Sequence, residues 1–299
     1  MALPASSPPD RRTLLSFVFI VLLGGSNAVA VRLSNVALPP FWGAAARFML
    51  AALIFWVVVA WRRIPLPRGR ALTGAMLFGA MTVGIFYALV YWALVSVTAS
   101  VTMVVLAIGP LLTFFFAVLH GQEIFRWRGL LGALIAFGGI LLAIGDQVGD
   151  SLPLLPLLAL LAGAASLGEG TVLYKRFPAR EPLLVNAIAL TVGSAILLLI
   201  SLLVGEAWLL PAETSVWLAF GYLVLGGSVA LFYLYLYVLD RWTASATSYA
   251  FLLFPVATII MAAWLADEAV SPRFLLGGAV VLFGVWLGAL SQPATKTAS

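Results

Sequence analysis

The chain has 299 residues, 64% hydrophobic and only 9% charged, too few ionic side chains to cover a water-soluble surface, where about a quarter of residues carry charge. The absence of cysteine excludes disulfides and thiolate metal sites, and one histidine, His120, leaves no cluster for a catalytic metal. The net charge of +5 invites a nucleic-acid partner, but the cations sit in short segments between apolar runs, which marks membrane topology instead.

About 20 apolar residues cross a bilayer core as a helix. Ten stretches qualify: 13–31, 41–61, 71–93, 98–119, 129–145, 152–174, 182–204, 214–239, 243–265 and 273–290. The first follows Arg11 and Arg12 and carries Ala28-Val29-Ala30, which resembles a cleavage site. Its apolar region is longer than that of a signal peptide and more runs follow at once, so it reads as an uncleaved span. Ser26 and Asn27 lie near its end, and Arg47 lies about two turns into the second run. The third holds Tyr87 and Tyr91 one turn apart, and Pro110 interrupts the fourth. Glu169 is embedded in the sixth run and Asn186 in the seventh. Tyr233 and Tyr237 mark the eighth, Tyr249 and Pro255 the ninth, and the spacing of Gly284 and Gly288 in the tenth reads as close helix packing.

With the N-terminus cytoplasmic, thirteen Lys and Arg fall on the inner side, and only Arg32 and Arg273 fall outside. Both termini are therefore expected inside, with an even number of spans. A shift of 145 residues lays Thr98-Ala99-Ser100 on Thr243-Ala244-Ser245, Pro110 on Pro255, Thr113 on Thr258, Glu123 on Glu268, Arg128 on Arg273 and Gly132 on Gly277. Between Thr98 and Gly139, 13 of 42 positions are identical. Apolar bias does not match Pro, Glu, Arg and Gly in order. Earlier helices agree less, with Arg32 near Lys175 and Pro40 near Pro182. Five spans per half is an odd number, so the halves enter from opposite sides, a recurring plan of secondary transporters.

The expected fold is all-α integral membrane, ten transmembrane helices in two inverted five-helix repeats. The divisions are a cytoplasmic tail 1–12, a first repeat 13–145, an external linker 146–151, a second repeat 152–290 and a cytoplasmic tail 291–299.

No phosphate-binding loop, nucleophile elbow or paired-histidine zinc motif is present, so neither an ATP-driven pump nor an intramembrane enzyme is expected, and no cofactor is implied. Polar groups within spans face a bundle interior or a water-filled path. Arg47 reads either as a donor to a substrate carboxylate or as a structural cation. Glu169 reads either as a site for a substrate ammonium or coupling proton, or as a partner of Lys175. Asn27 and Asn186 line vestibules or bond across helices. Tyr87, Tyr91, Tyr233 and Tyr249 suit the wall of a cavity for amphipathic solutes, and Pro110 and Pro255 suit hinges or fixed bends.

These features resemble the EamA-type family of the drug/metabolite transporter superfamily. Gly24-Gly25-Ser26-Asn27 with Arg32, Arg47, and the paired Pro110…Glu123…Gly132 and Pro255…Glu268…Gly277 blocks carry the resemblance, which spans residues 13–290. It implies a central cavity lined by helices one to four and six to nine, with helices five and ten at the periphery. Two departures stand out: Gly24-Gly25 replaces the family's frequent aromatic–Gly pair, and Leu167-Gly168-Glu169 puts an acid in the sixth span. Within the family the chain is similar to amino-acid and metabolite exporters of the YddG kind. The expectation is a multi-pass transporter of a bacterial-type inner membrane, exporting amino acids or similar small amphipathic metabolites by alternating access, with no second subunit required. Export of cationic drugs is the rival, and an intramembrane lipid-modifying enzyme a more distant one.

Overall fold

The computed structural model describes residues 10–125, 127–144, 154–177, 181–242, 244, 247, 250–265 and 271–287. Regular structure among these residues is helical, with no strand. Seven helices are long and apolar enough to cross a membrane: α1 (Arg11–Asn35), α2 (Pro40–Trp61), α3 (Arg70–Ala93), α4 (Ala99–Leu119), α6 (Leu154–Arg176), α7 (Pro182–Leu203) and α8 (Thr214–Leu239). Three shorter ones complete the order, α5 (Trp127–Ile144), α9 (Ala250–Leu265) and α10 (Pro272–Val285). The linker 146–151 and the C-terminal tail 291–299 lie outside the described residues.

Local signals set the helix ends. Asp10 caps α1, its carboxylate accepting from the hydroxyl and the backbone N–H of Thr13, and these bonds hold its pKa below the ordinary aspartate value. Pro40 and Pro182 open α2 and α7, where a missing N–H costs nothing. Gly205, with φ 71°, closes α7: its N–H donates to Leu202 and the next N–H, of Glu206, donates to Ser201. That turn delivers the Glu206 carboxylate to the start of α2, where it accepts from the backbone N–H groups of Phe41 (3.1 Å) and Trp42 (2.7 Å). An anion there complements the helix dipole. Trp42 also stacks on Trp208, their ring centres 5.2 Å apart.

The helices pack in pairs related by the sequence shift. Helix α1 runs against α8 and α9, and α6 runs against α3 and α4; α2 lies along α7, and α5 along α10. Six-residue π-helical turns interrupt α3 at Ala80–Ile85 and α8 at Leu225–Ala230. Adding 145 to the first range gives the second, so the two irregularities occupy equivalent places. The prolines are equivalent in position but not in effect. Helix α4 breaks at Ala107–Ile108 and restarts at Gly109-Pro110, whereas α9 continues through Pro255.

The α5–α10 pair carries Leu131, Leu134, Phe137, Leu275, Leu276 and Phe283 on its exposed flank and closes through small residues. A Cβ on Gly277 would stand 2.4 Å from the Ala143 nitrogen, and one on Gly284 2.5 Å from the Ala136 nitrogen. Gly288 lies outside the described residues. Gly277→Leu should lower stability by about 2 kcal/mol or more through overpacking. A thermal melt in detergent checks this, and an unchanged midpoint would show that the seam yields.

Candidate functional site

A cavity of about 70 Å³ lies within the bundle. Its described wall comes from α1, α3, α4 and α6 to α9, the last through Phe251 and Phe254. Helix α2, expected to contribute, supplies none of this wall and packs along α7 instead. The wall is aromatic and aliphatic, with a small set of polar groups and no Asp, Glu, Lys or Arg. Tyr87 and Phe232, which the 145-residue shift superimposes, meet in this wall with ring centres 6.0 Å apart.

Asn27, Tyr87 and Asn186 line the cavity together. Asn27 is 5% exposed and donates from Nδ2 to the Gly227 carbonyl at 3.4 Å, while its Oδ1 has no partner. Asn186 is 2% exposed, and its Nδ2 has none either. A buried amide group without a partner is costly, and here each borders the cavity.

Arg47 and Tyr91 stand behind the wall. The Arg47 guanidinium is completely buried and donates to Ser228 Oγ (2.8 Å), Tyr91 Oη (3.0 Å) and the Gly227 carbonyl (2.7 Å). The π-helical turn of α8 provides two of these acceptors, and Ser228 Oγ donates in turn to the Leu223 carbonyl. Beside Arg47 lie the rings of Phe48 and Tyr87, 4.8 and 5.5 Å from Cζ.

Glu169 faces the α4–α6 contact rather than the cavity. Its Oε1 lies 2.8 Å from His120 Nε2, and His120 Nδ1 lies 3.3 Å from an Arg176 nitrogen. Lys175 is engaged elsewhere, donating to the Leu239 carbonyl at the end of α8. Arg32 does the same in the other half, donating to the Val97 carbonyl beyond the end of α3. Ser26 bonds to the Tyr222 hydroxyl.

Tyr233 stands on the outside of the bundle, 36% exposed and tilted against Tyr237. Tyr235, two residues on, faces the cavity instead, its hydroxyl 3.2 Å from Thr171 Oγ1. Tyr249 lies outside the described residues. Tyr235, Phe232 and the Phe251–Phe254 pair are among the wall residues that sequence reasoning did not single out. In a helix, positions 233 and 237 share one face and 235 takes the other, and hydropathy does not say which face is inward.

Gly24 and Gly25 explain why no aromatic occupies α1 at this level. A Cβ on Gly24 would lie 2.2 Å from the Phe254 ring, and one on Gly25 2.4 Å from Ala257 Cβ. Phe254 fills the space from α9, and Thr258 Oγ1 donates to the Gly25 carbonyl. Among the described residues no group of three or more His, Asp or Glu gathers into a metal site.

Similarity to known proteins agrees with this architecture. A profile of the EamA-like transporter family matches residues 11–145 and again 154–289. The uncharacterized inner membrane transporter YedA of Escherichia coli (strain K12) is 28% identical over 277 residues, covering 91% of this chain and 89% of its own. YedA of Escherichia coli O157:H7 matches to the same extent. A solved structure titled "Crystal structure of protein" shares the fold, with a TM-score of 0.69 at 21% identity over 94% of this chain and 99% of that one.

Asn186→Leu should raise stability by about 1 kcal/mol, because it removes a buried unpartnered amide. Calorimetry in detergent tests this, and a lower melting temperature would mean that the amide is bonded within the fold.

Proposed function

The chain belongs to the EamA-like transporter family, and from that premise we propose that it is a secondary transporter exporting amino acids or related small amphipathic metabolites through the central cavity by alternating access. The observation that carries this reading is the cavity itself, walled by helices from both family-matched segments and holding two unpartnered amide groups. Apolar walls with a few polar groups suit a solute with a hydrophobic body and a polar head.

The proposed frame is ten spans in two inverted five-helix repeats, 13–145 and 152–290, with both termini cytoplasmic in a bacterial-type inner membrane. The equivalent π-helical turns and the paired helix contacts support it, as does the excess of Lys and Arg in one set of loops. Pro110 and Pro255 are the proposed hinges. Pro255 frees the carbonyl four residues earlier within a continuous helix, and Pro110 opens the restarted half of α4 after its break at Ala107–Ile108, so the backbone can bend at both places at low cost. Asn27, Tyr87 and Asn186 are the proposed contacts to the solute. Arg47 and Tyr91 shape the wall from behind, and Glu169 with His120 is the proposed proton-responsive pair between α4 and α6.

Reconstituted protein should show saturable counterflow of labelled phenylalanine or threonine. No counterflow across a broad amino-acid panel would overturn the amino-acid reading. A proton-coupled cycle predicts that Glu169→Gln flattens the pH profile of flux; an unchanged profile would remove Glu169 from the coupling.

A further inference from the structure

We infer that Arg47 sets the charge preference of the cavity from behind its wall, favouring amphipathic solutes that carry a carboxylate and rejecting organic cations of the same size. This rests on the transport reading above. The guanidinium is fully buried, and its three partners, Ser228, Tyr91 and the Gly227 carbonyl, are all neutral. Among the described residues no carboxylate pairs with it. Hydrogen bonds to neutral acceptors hold a buried charge in place without cancelling it, and in a low-dielectric interior its field reaches the surroundings.

One layer separates that charge from the solute space. Its Cζ is 5.5 Å from the ring centre of Tyr87, and it shares the Gly227 carbonyl with Asn27; both residues line the cavity. No Asp or Glu on the described wall offsets the field. Across roughly 9 Å at an effective dielectric of about 20, a unit charge alters the occupancy of an ion on the order of tenfold, in opposite senses for the two signs. Aromatic faces alone would draw cations, but Arg47 already lies close to the Tyr87 ring. At the same end, the free Asn27 Oδ1 can accept an N–H or O–H from the solute. The second half has no counterpart: the shift that lays Pro40 on Pro182 puts Ala189 at the Arg47 position. The field therefore comes from one side only.

The test compares three probes with one phenylpropyl body: 3-phenylpropionate, 3-phenylpropanamide and 3-phenylpropylammonium. Affinities for the purified full chain come from the concentration dependence of thermal stabilisation. Wild type should bind the carboxylate about a hundredfold tighter than the ammonium, with the amide between. Arg47→Lys should keep that order. Arg47→Gln, which removes the charge, and Ser228→Asp, which places a carboxylate against the guanidinium, should bring the three within about threefold. If Arg47→Gln does not fold, the wild-type order and Ser228→Asp decide. Equal binding of all three by wild type, or an order that survives both neutralising variants, would overturn this inference and leave the transport reading standing. No binding of any probe would overturn both.

Discussion

The burial of one guanidinium organises the centre of this protein. An arginine inside a membrane is tolerated only when its donors are met by groups that are themselves fixed. Arg47 meets that condition by joining α2 to α3 through Tyr91 and to α8 through Ser228 and Gly227. A regular α-helix uses its carbonyls internally and offers a neighbour little. The π-helical turn of α8 loosens that economy and presents the Gly227 carbonyl to both Arg47 and Asn27. The irregular backbone and the buried cation thus need each other, and together they fix the wall against which Tyr87 and Phe232 meet.

The near two-fold design is broken in chemically meaningful places. Under the shifts that relate the halves, Gly25 corresponds to Gly168, and Thr258 to Thr113. On one side Thr258 reaches across to the Gly25 carbonyl; on the other, Thr113 bonds back to the Gly109 carbonyl of its own helix. Phe254 crowds Gly24, whereas a Cβ placed on Gly109, the position equivalent to Phe254, would stand 4.0 Å from the Phe251 ring. One helix crossing is clasped and filled, and its partner is more open.

Much of the fold was legible because lipid permits few solutions. Continuous apolar runs located the helices among the described residues, seven of them long and apolar enough to cross a membrane, and matched Pro, Glu, Arg and Gly pointed to the duplication that the two family matches also span. The polar positions within runs led directly to Asn27, Tyr87 and Asn186, since each is too costly to leave facing lipid. What was not legible depended on register and on distance. A π-helical turn inserts a residue without changing composition, so the face that follows it cannot be read from hydropathy, and Tyr233 and Tyr235 exchange places. His120 and Glu169 lie 49 residues apart and meet only because α4 packs on α6. Lys175, the nearer partner in sequence, is drawn to the open carbonyls at the end of α8 instead.

The bond from Glu206 to the first amides of α2 has a consequence for biogenesis. Phe41 and Trp42 emerge from the ribosome more than 160 residues before the carboxylate that satisfies them. During synthesis the leading end of α2 must borrow headgroups or water as temporary acceptors. It reaches its final footing only once α7 has been threaded and its closing turn has formed. The amino-terminal half is thus inserted early but finished late, and the order in which the chain is made differs from the order in which it becomes rigid.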